Sequence, residues 1–260
     1  MLRPRITPCL LIQNDGLVKT QKFEDPKYVG DPINAVKIFN EKEVDELIVL
    51  DIDASTLGRE PNYALIRSLA NECRMPLCYG GGVKTVEQVE RIIQLGVEKV
   101  AISSAAIADP DFIAQAARRV GSQSLVVVLD VKKTGLLRRH EIFVQNGKTA
   151  TGLLPADFVE KLEALGAGEI VINSIDGDGL MQGYDLGLIE AIRKRTSLPI
   201  TALGGAGSLA DIQGLIEKFG IIGAAAGSLF VFKGKYRAVL INYPSRSDKD
   251  ALVRVGMGRS

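Results

Sequence analysis

The sequence of 260 residues predicts a single (β/α)8 barrel with an internal half-barrel repeat, and three observations carry that expectation. Short β-branched runs alternate with amphipathic stretches of helix length along nearly the whole chain, the pattern of a parallel sheet with crossover helices. Eight such units fill about 250 residues, the usual size of one closed barrel, whereas a doubly wound sheet would have fewer strands or a second domain. The loops after the third and seventh strands repeat one another, with Gly80 and Gly204 separated by 124 residues.

In chain order the predicted strands are Ile6–Leu11, Leu47–Ile52, Pro76–Tyr79, Val100–Ser103, Leu125–Asp130, Ile170–Asn173, Ile200–Leu203 and Ile221–Ala226, called strands 1 to 8 below. Helices are expected between them at Pro32–Glu41, Pro61–Glu72, Thr85–Gln94, Pro110–Arg119, Pro155–Leu165, Leu186–Arg195 and Ser208–Phe219, with a last one near Arg237–Tyr243. Several begin with proline, whose missing N–H costs nothing in a first turn. Two stretches interrupt the rhythm. Gln13–Gly30 is too long for an ordinary connection and is expected to be an active-site loop. Arg139–Val144 followed by Asn146-Gly147 reads as a small hairpin after strand 5.

A hydrophobic content of 46% with 24% charge supports a packed soluble core, and 32 basic against 31 acidic residues leave a net charge of +1. That balance argues against nucleic acid or an anionic membrane surface as the main partner and favours small molecules or proteins. No segment reaches the ~18 apolar residues of a membrane helix, and the first residues lack the apolar run of an export signal, so a cytoplasmic protein is expected. Cys9, Cys73 and Cys78 form an odd set and are expected as reduced thiols. With His140 as the one histidine, a Ser-His-Asp or Cys-His site would have to use it, and no recognisable metal-ligand spacing exists. Neither a metal nor a cofactor is expected.

The repeat extends to Ser104 and Ser228, also 124 residues apart. It places two glycine-rich loop pairs opposite one another at one mouth of the barrel. Loops after strands 7 and 8 are a common phosphate site, because glycines admit close approach of backbone N–H groups to an anion. Gly204, Gly205, Gly227 and Ser228 fit that part, and Gly81, Gly82, Ser103 and Ser104 supply its counterpart. Tight strand-to-helix packing would select the same glycines. Two facing cradles imply an elongated ligand with an anionic group at each end.

Carboxylates at the C-terminal ends of barrel strands point to catalysis. Asp130 at the end of strand 5 is the leading candidate, with Asp51 and Asp53 flanking the end of strand 2 and Asp176 and Asp178 in the loop after strand 6; some of these only order loops, and Asp53 is among the weakest catalytic candidates. Lys19 in the long first stretch is a candidate to bind an anion or orient a carboxylate, although a lone loop lysine is usually solvated. At the N-terminal ends, Arg5, Glu46, Lys99 and Glu169 precede strands 1, 2, 4 and 6. Alternating signs would let them pair around the axis, but on residue types alone ordinary surface ion pairing is the preferred reading.

The motifs Pro8-Cys9-Leu10, Val18-Lys19, Leu50-Asp51-Ile52, Gly80-Gly81-Gly82, Thr151-Gly152-Leu153, Ser174-Ile175-Asp176, Asp178-Gly179, Gly183-Tyr184-Asp185 and Gly204-Gly205 fall in order along the chain. Together they resemble the HisF family, the cyclase subunits of imidazole glycerol phosphate synthase, over roughly residues 1–243. The resemblance implies a TIM barrel over 1–243 with a tail at 244–260, two phosphate sites, and a HisH-like glutaminase as partner. It further implies that ammonia from that partner enters at the floor through a charged gate, to which Arg5, Glu46, Lys99 and Glu169 correspond, and travels inside the barrel to the substrate. Catalytic parts fall to Asp130, Lys19, Asp51 and Asp178, and substrate contacts to Asn173 and the two cradles.

The chain departs from the family where it matters chemically. Members use two aspartates for ring closure, at the ends of strands 1 and 5; Asp130 matches the second, and Leu11 stands at the first. A leucine transfers no proton, and loss of a general acid or base typically costs ~10²–10⁴ in rate. Asp15, Asp51 or Asp178 would have to replace it. Ser103 stands where the family usually has asparagine, and Asn173 where it usually has threonine. Such departures are similar to those of HisF paralogues of surface-polysaccharide pathways, which imply amidination of a nucleotide-linked acetamido sugar with a further amidotransferase. The two cradles favour an imidazole glycerol phosphate synthase subunit of histidine biosynthesis instead, and a non-catalytic ammonia conduit is the third expectation.

Overall fold

The computed structural model describes residues 3–257. Strand 1 spans Arg5–Gln13, strand 2 Leu47–Asp51, strand 3 Leu77–Gly80, strand 4 Lys99–Ile102, strand 5 Leu125–Thr134, strand 6 Glu169–Ser174, strand 7 Ile200–Leu203 and strand 8 Gly223–Ala226. Each pairs in parallel with its neighbour, and strand 8 returns to strand 1 through Arg5 opposite Gly223 and Thr7 opposite Ala225, so the sheet closes. This is the eight-stranded barrel expected from the sequence.

Helices Pro32–Glu41, Tyr63–Glu72, Val86–Gln94, Asp111–Val120, Pro155–Ala164, Leu186–Arg193 and Leu209–Phe219 cover the outside. Their starts have identifiable causes. Thr85 and Ser208 each form a reciprocal cap with the residue three positions on, Gln88 and Asp211, which satisfies donors the first helical turn leaves unpaired. Helix faces such as Val89 and Ile92, or Leu215 and Ile216, pack against the outward residues of the strands in the main core. Burial of each such side chain is worth roughly 1.5–3 kcal/mol. A second cluster fills the barrel interior with Cys9, Ile48, Cys78, Ala101, Val126, Val128, Val171, Leu203 and Ala225. Most of these are small or β-branched, as an axis crowded by eight strands requires.

Two segments differ from expectation. Gln13–Gly30 is no open loop: Gly16–Gln21 folds back antiparallel on strand 1 and Glu24–Gly30 on it in turn. Both tight turns use paired positive φ angles, at Asn14 and Asp15 and at Lys22 and Phe23, the conformation that matches hairpin twist. The stretch Arg237–Tyr243 is not helical. Phe232–Lys233 and Ala238–Val239 form a small hairpin, and the last helix runs Arg246–Met257, packing on Leu209–Phe219. Ser245 begins it, trading hydrogen bonds with Asp248, while Lys249 reaches the barrel through Asp45 at 2.8 Å.

After strand 5 the expected hairpin is present. Arg139–Val144 pairs antiparallel with the far end of strand 5, from Asp130 opposite Phe143 to Thr134 opposite Arg139, and Thr149–Ala150 adds a third short strand.

Candidate active site

A cavity of about 490 Å³ opens where the strands end at their C-termini. It gathers residues from all eight βα connections. Asp130, Lys19, Asp51 and Asp178 line it, as do Gly81, Gly82, Ser103 and Ser104 on one side and Gly204, Gly205, Gly227 and Ser228 on the other, with Asn173 between. Residues 120 or more positions apart in sequence thus share one space because successive strands deliver their ends to one rim.

The glycines answer to packing as well as to any ligand. At Gly81, φ is +120° and a Cβ would lie 2.3 Å from the Asp51 carbonyl oxygen; at Gly205, φ is +109° and a Cβ would lie 2.1 Å from the Gly183 carbonyl oxygen. No other residue type fits either place. The close backbone packing considered from the sequence is therefore present, and it leaves the loops low enough for the cavity to reach their backbone. Ser103 contributes a hydroxyl that is buried with no hydrogen-bond partner, one of three such atoms among the described residues.

Asp130 leads the acidic groups. Burial pushes its carboxyl up to about 7, against a 2.8 Å hydrogen bond from Asn173 Nδ2 and with help from the charge of Asp178. Burial also raises Asp178, although Thr20 Oγ1 donates to it at 2.6 Å and the Phe23 N–H at 3.1 Å. Asp51 is raised by burial as well, and its carboxylate accepts the N–H groups of Asp53 and Ala54 at 3.0 Å each. Asp51 therefore orders its loop while facing the cavity. Lys19 is 5% exposed and donates to the Cys9 carbonyl; burial lowers its ammonium, against the attraction of Asp178.

The other carboxylate candidates lie outside the cavity lining. Asp53 accepts from Gln13 and the Asn14 N–H, Asp176 accepts the Lys133 N–H, and Asp15 accepts from Asn62 at the exposed edge. The first two order loops, the part expected of Asp53. His140 pairs with Asp185 at 3.1 Å on the strand 5 hairpin, where Lys133 also meets Asp185 at 2.6 Å. Cys9, Cys73 and Cys78 are unpaired thiols, and burial pushes Cys9 up to about 11. Among the described residues no cluster of three or more His, Cys, Asp or Glu side chains could hold a metal, and no helix is long and apolar enough to cross a membrane.

Sequence reasoning missed Thr20, Phe23 and Ser55 as cavity residues. The Asn14-Asp15-Gly16 turn was a usable hairpin signal, and alternation beyond it would have sent Lys19 and its neighbours to the mouth. Leu11, at the end of strand 1, also lines the cavity, together with Leu50, Val128 and Leu203. The wall that would carry a second acid is apolar.

At the opposite end the four charged residues form a closed ring. Arg5 contacts Glu46 at 2.8 Å and Glu169 at 2.6 Å; Lys99 contacts Glu46 at 2.7 Å and Glu169 at 2.8 Å. Thr201 Oγ1 donates to Glu169 at 2.6 Å. Burial alone would raise Glu169, but Arg5 and Lys99 outweigh it and hold the carboxyl below its ordinary value. Burial opposes the charge on Arg5 and Lys99 as well, and the two carboxylates overcome it and raise both. The ring spans the barrel axis directly beneath Cys78 and the interior cluster.

A family profile described as "Histidine biosynthesis protein" matches residues 5–237. The chain is 57% identical over 252 residues to a provisionally named imidazole glycerol phosphate synthase subunit HisF of Leptospira interrogans, covering 97% of this chain and 99% of that one. It is 58% identical over 249 residues to the provisionally named subunit hisF3 of Vibrio vulnificus strain YJ016, covering 96% of both chains. It is 54% identical over 250 residues to the provisionally named subunit hisF2 of Pseudomonas aeruginosa, covering 96% of this chain and 99% of that one. With a closed eight-stranded barrel and near full-length identity above one half, the chain belongs to the HisF family.

Proposed function

We propose that the chain is the synthase-type subunit of a glutamine amidotransferase complex. Ammonia made by a HisH-like glutaminase enters at the ring of Arg5, Glu46, Lys99 and Glu169, passes through the barrel and reacts in the cavity at the mouth. The acceptor is a nucleotide-linked acetamido sugar, whose acetamido carbonyl carbon bonds the ammonia nitrogen and releases its oxygen as water, in concert with a further amidotransferase. That chemistry needs ammonia and a proton carrier but closes no ring. The single observation that carries it is an intact ring at the floor combined with Leu11 in the cavity wall, which leaves Asp130 to handle protons without the partner acid. Names such as hisF2 and hisF3 among its relatives fit a paralogue.

The test uses purified chain, ammonium salt and the histidine-pathway substrate. Formation of imidazole glycerol phosphate is expected at least ~10²-fold below that of a subunit with both acids, and Leu11→Asp is expected to raise it. Wild-type turnover at the full rate overturns the proposal.

A second reading is supported by the two cradles sharing one cavity, which suits a substrate with a phosphate at each end. Under it the chain is an imidazole glycerol phosphate synthase subunit of histidine biosynthesis, and it restores growth of a histidine auxotroph. If the chain is only a conduit, Asp130→Asn leaves product formation by the assembled complex unchanged while Lys99→Ala alters ammonia transfer.

A further inference from the structure

Asn173 on strand 6 lies directly beside Asp130 on strand 5, the two being partners in the parallel register. Its side chain is buried, and its Nδ2 donates to Asp130 Oδ1 at 2.8 Å. On the other flank Asp130 pairs with Phe143 of the hairpin, which offers no side-chain donor. Among the described residues no second group donates to that carboxyl, and Oδ2 is not one of the buried orphaned atoms. Oδ2 therefore opens on the cavity that Asp130 lines.

A carboxyl on a terminal sp³–sp² bond turns easily, so an unheld aspartate would offer either oxygen to a bound molecule. One strong hydrogen bond removes that freedom. The kind of donor matters too. A lysine or arginine at position 173 would orient the carboxyl equally well but would favour its charged form by direct attraction. An amide is neutral and leaves the group able to both give and take a proton near neutrality. The charged groups that share the cavity with Asp130 are Asp178, which opposes its ionisation, Lys19, which sits toward Gly227, and Asp51, Lys84 and Asp109. On its own strand, Lys132 turns its ammonium over the Phe143 ring at 5.8 Å.

We propose that Asn173 is a positioning residue that holds Oδ1 of Asp130, so that Oδ2 alone exchanges the proton with the bound acceptor. The assignment rests on Asp130 being the proton carrier of the function proposed above, and it changes the part given to Asn173 from substrate contact to support of the carboxyl.

The experiment is a pH titration of the full chain labelled with ¹³Cγ-aspartate, the Asp130 resonance being identified by its loss in Asp130→Asn. Asn173→Leu keeps the shape and removes the donor. The Asp130 midpoint is expected to rise by about half to one pH unit, the equivalent of one lost hydrogen bond. Asn173→Ser, whose hydroxyl is too short to span the gap, is expected to shift it the same way and serves if the leucine variant fails to fold. An unchanged midpoint in a folded variant overturns the proposal. Because this measurement needs no acceptor, a shifted midpoint combined with no ammonia-dependent product from any acceptor upholds the positioning part and defeats the function.

Discussion

At the floor of the barrel two carboxylates and two cations meet in four ion pairs, whereas at the mouth the carboxyls of Asp51, Asp130 and Asp178 and the ammonium of Lys19 face an open cavity. The difference shows in how each end treats ionisation. Arg5 and Lys99 are raised and Glu169 is lowered, so every resolved shift at the floor favours the charged form. Asp130, Asp51 and Asp178 are raised and Lys19 is lowered, so every resolved shift at the mouth favours the neutral form. Burial is present at both ends. What decides the sign is whether an opposite charge lies within contact distance, as at the floor, or whether apolar wall such as Leu11 and Leu50 stands there instead. One end is a lock of fixed charges, and the other holds groups poised to exchange protons.

The largest expected effect comes from breaking the mouth. Asp130→Asn removes the one acid at a strand end that has no loop to order, and ammonia-dependent turnover is expected to fall by ~10²–10⁴ with the fold intact. Steady-state rates with ammonium salts in place of glutamine check this without needing the glutaminase. A variant with undiminished turnover would make the mouth as inert as the floor and abolish the contrast.

Breaking the floor is expected to act on stability instead. Glu169→Gln weakens contacts to Arg5 and Lys99 in a side chain only 6% exposed, and a loss of about 1–3 kcal/mol at neutral pH is expected from urea unfolding. The sign of its pH dependence follows from the depressed carboxyl. Its stabilisation is present above the ordinary carboxylate range and is lost as pH falls through the folded value, so wild type and Glu169→Gln converge in acid. Equal stability of the two proteins at pH 7 would mean that the ring contributes nothing to the folded state.

How much of this was legible depends on the kind of signal. Each barrel strand and seven helices follow from hydrophobic periodicity, because a buried parallel strand and an amphipathic helix leave distinct patterns. Of the two hairpins in Gln13–Gly30, the first carries a turn signal at Asn14-Asp15-Gly16, whereas the second turns at Lys22-Phe23, with positive φ angles on residues that rarely adopt them, so no local chemistry announces it. The helix Arg246–Met257 did have a signal, Ser245 capped by Asp248, but its polar sequence hides the face that meets the barrel. At the site, strand-end position alone singled out Asp130, and the half-repeat brought the two glycine clusters together. Burial and partners were not legible. The support of Asp130 by Asn173 depends on the register between strands 5 and 6, which no sequence spacing reports. The ring was equally hidden, since four separated charges look like surface residues until closure sets them 2.6–2.8 Å apart.

The smallest effect is the one that sets the two ends against each other most directly. A carboxyl raised in the folded state contributes stability that is fully present below its unfolded pKa of ~3.9 and is lost as pH rises toward the folded value of about 7. Ionised Asp130 therefore weakens the protein at pH 8, opposite in sign to Glu169. Asp130→Asn removes the ionisation and can still accept the Asn173 hydrogen bond, so its stability relative to wild type is expected to climb between pH 4 and pH 7 and to level off above. The open side of the cavity admits water, which keeps the gain to roughly 1 kcal/mol, a degree or so up to several in Tm for a chain of this size. Thermal unfolding across that pH range measures it. A flat difference would mean that the mouth solvates its carboxyl as well as water does, and the resting acid would then be an ordinary aspartate with no readiness to donate at neutral pH.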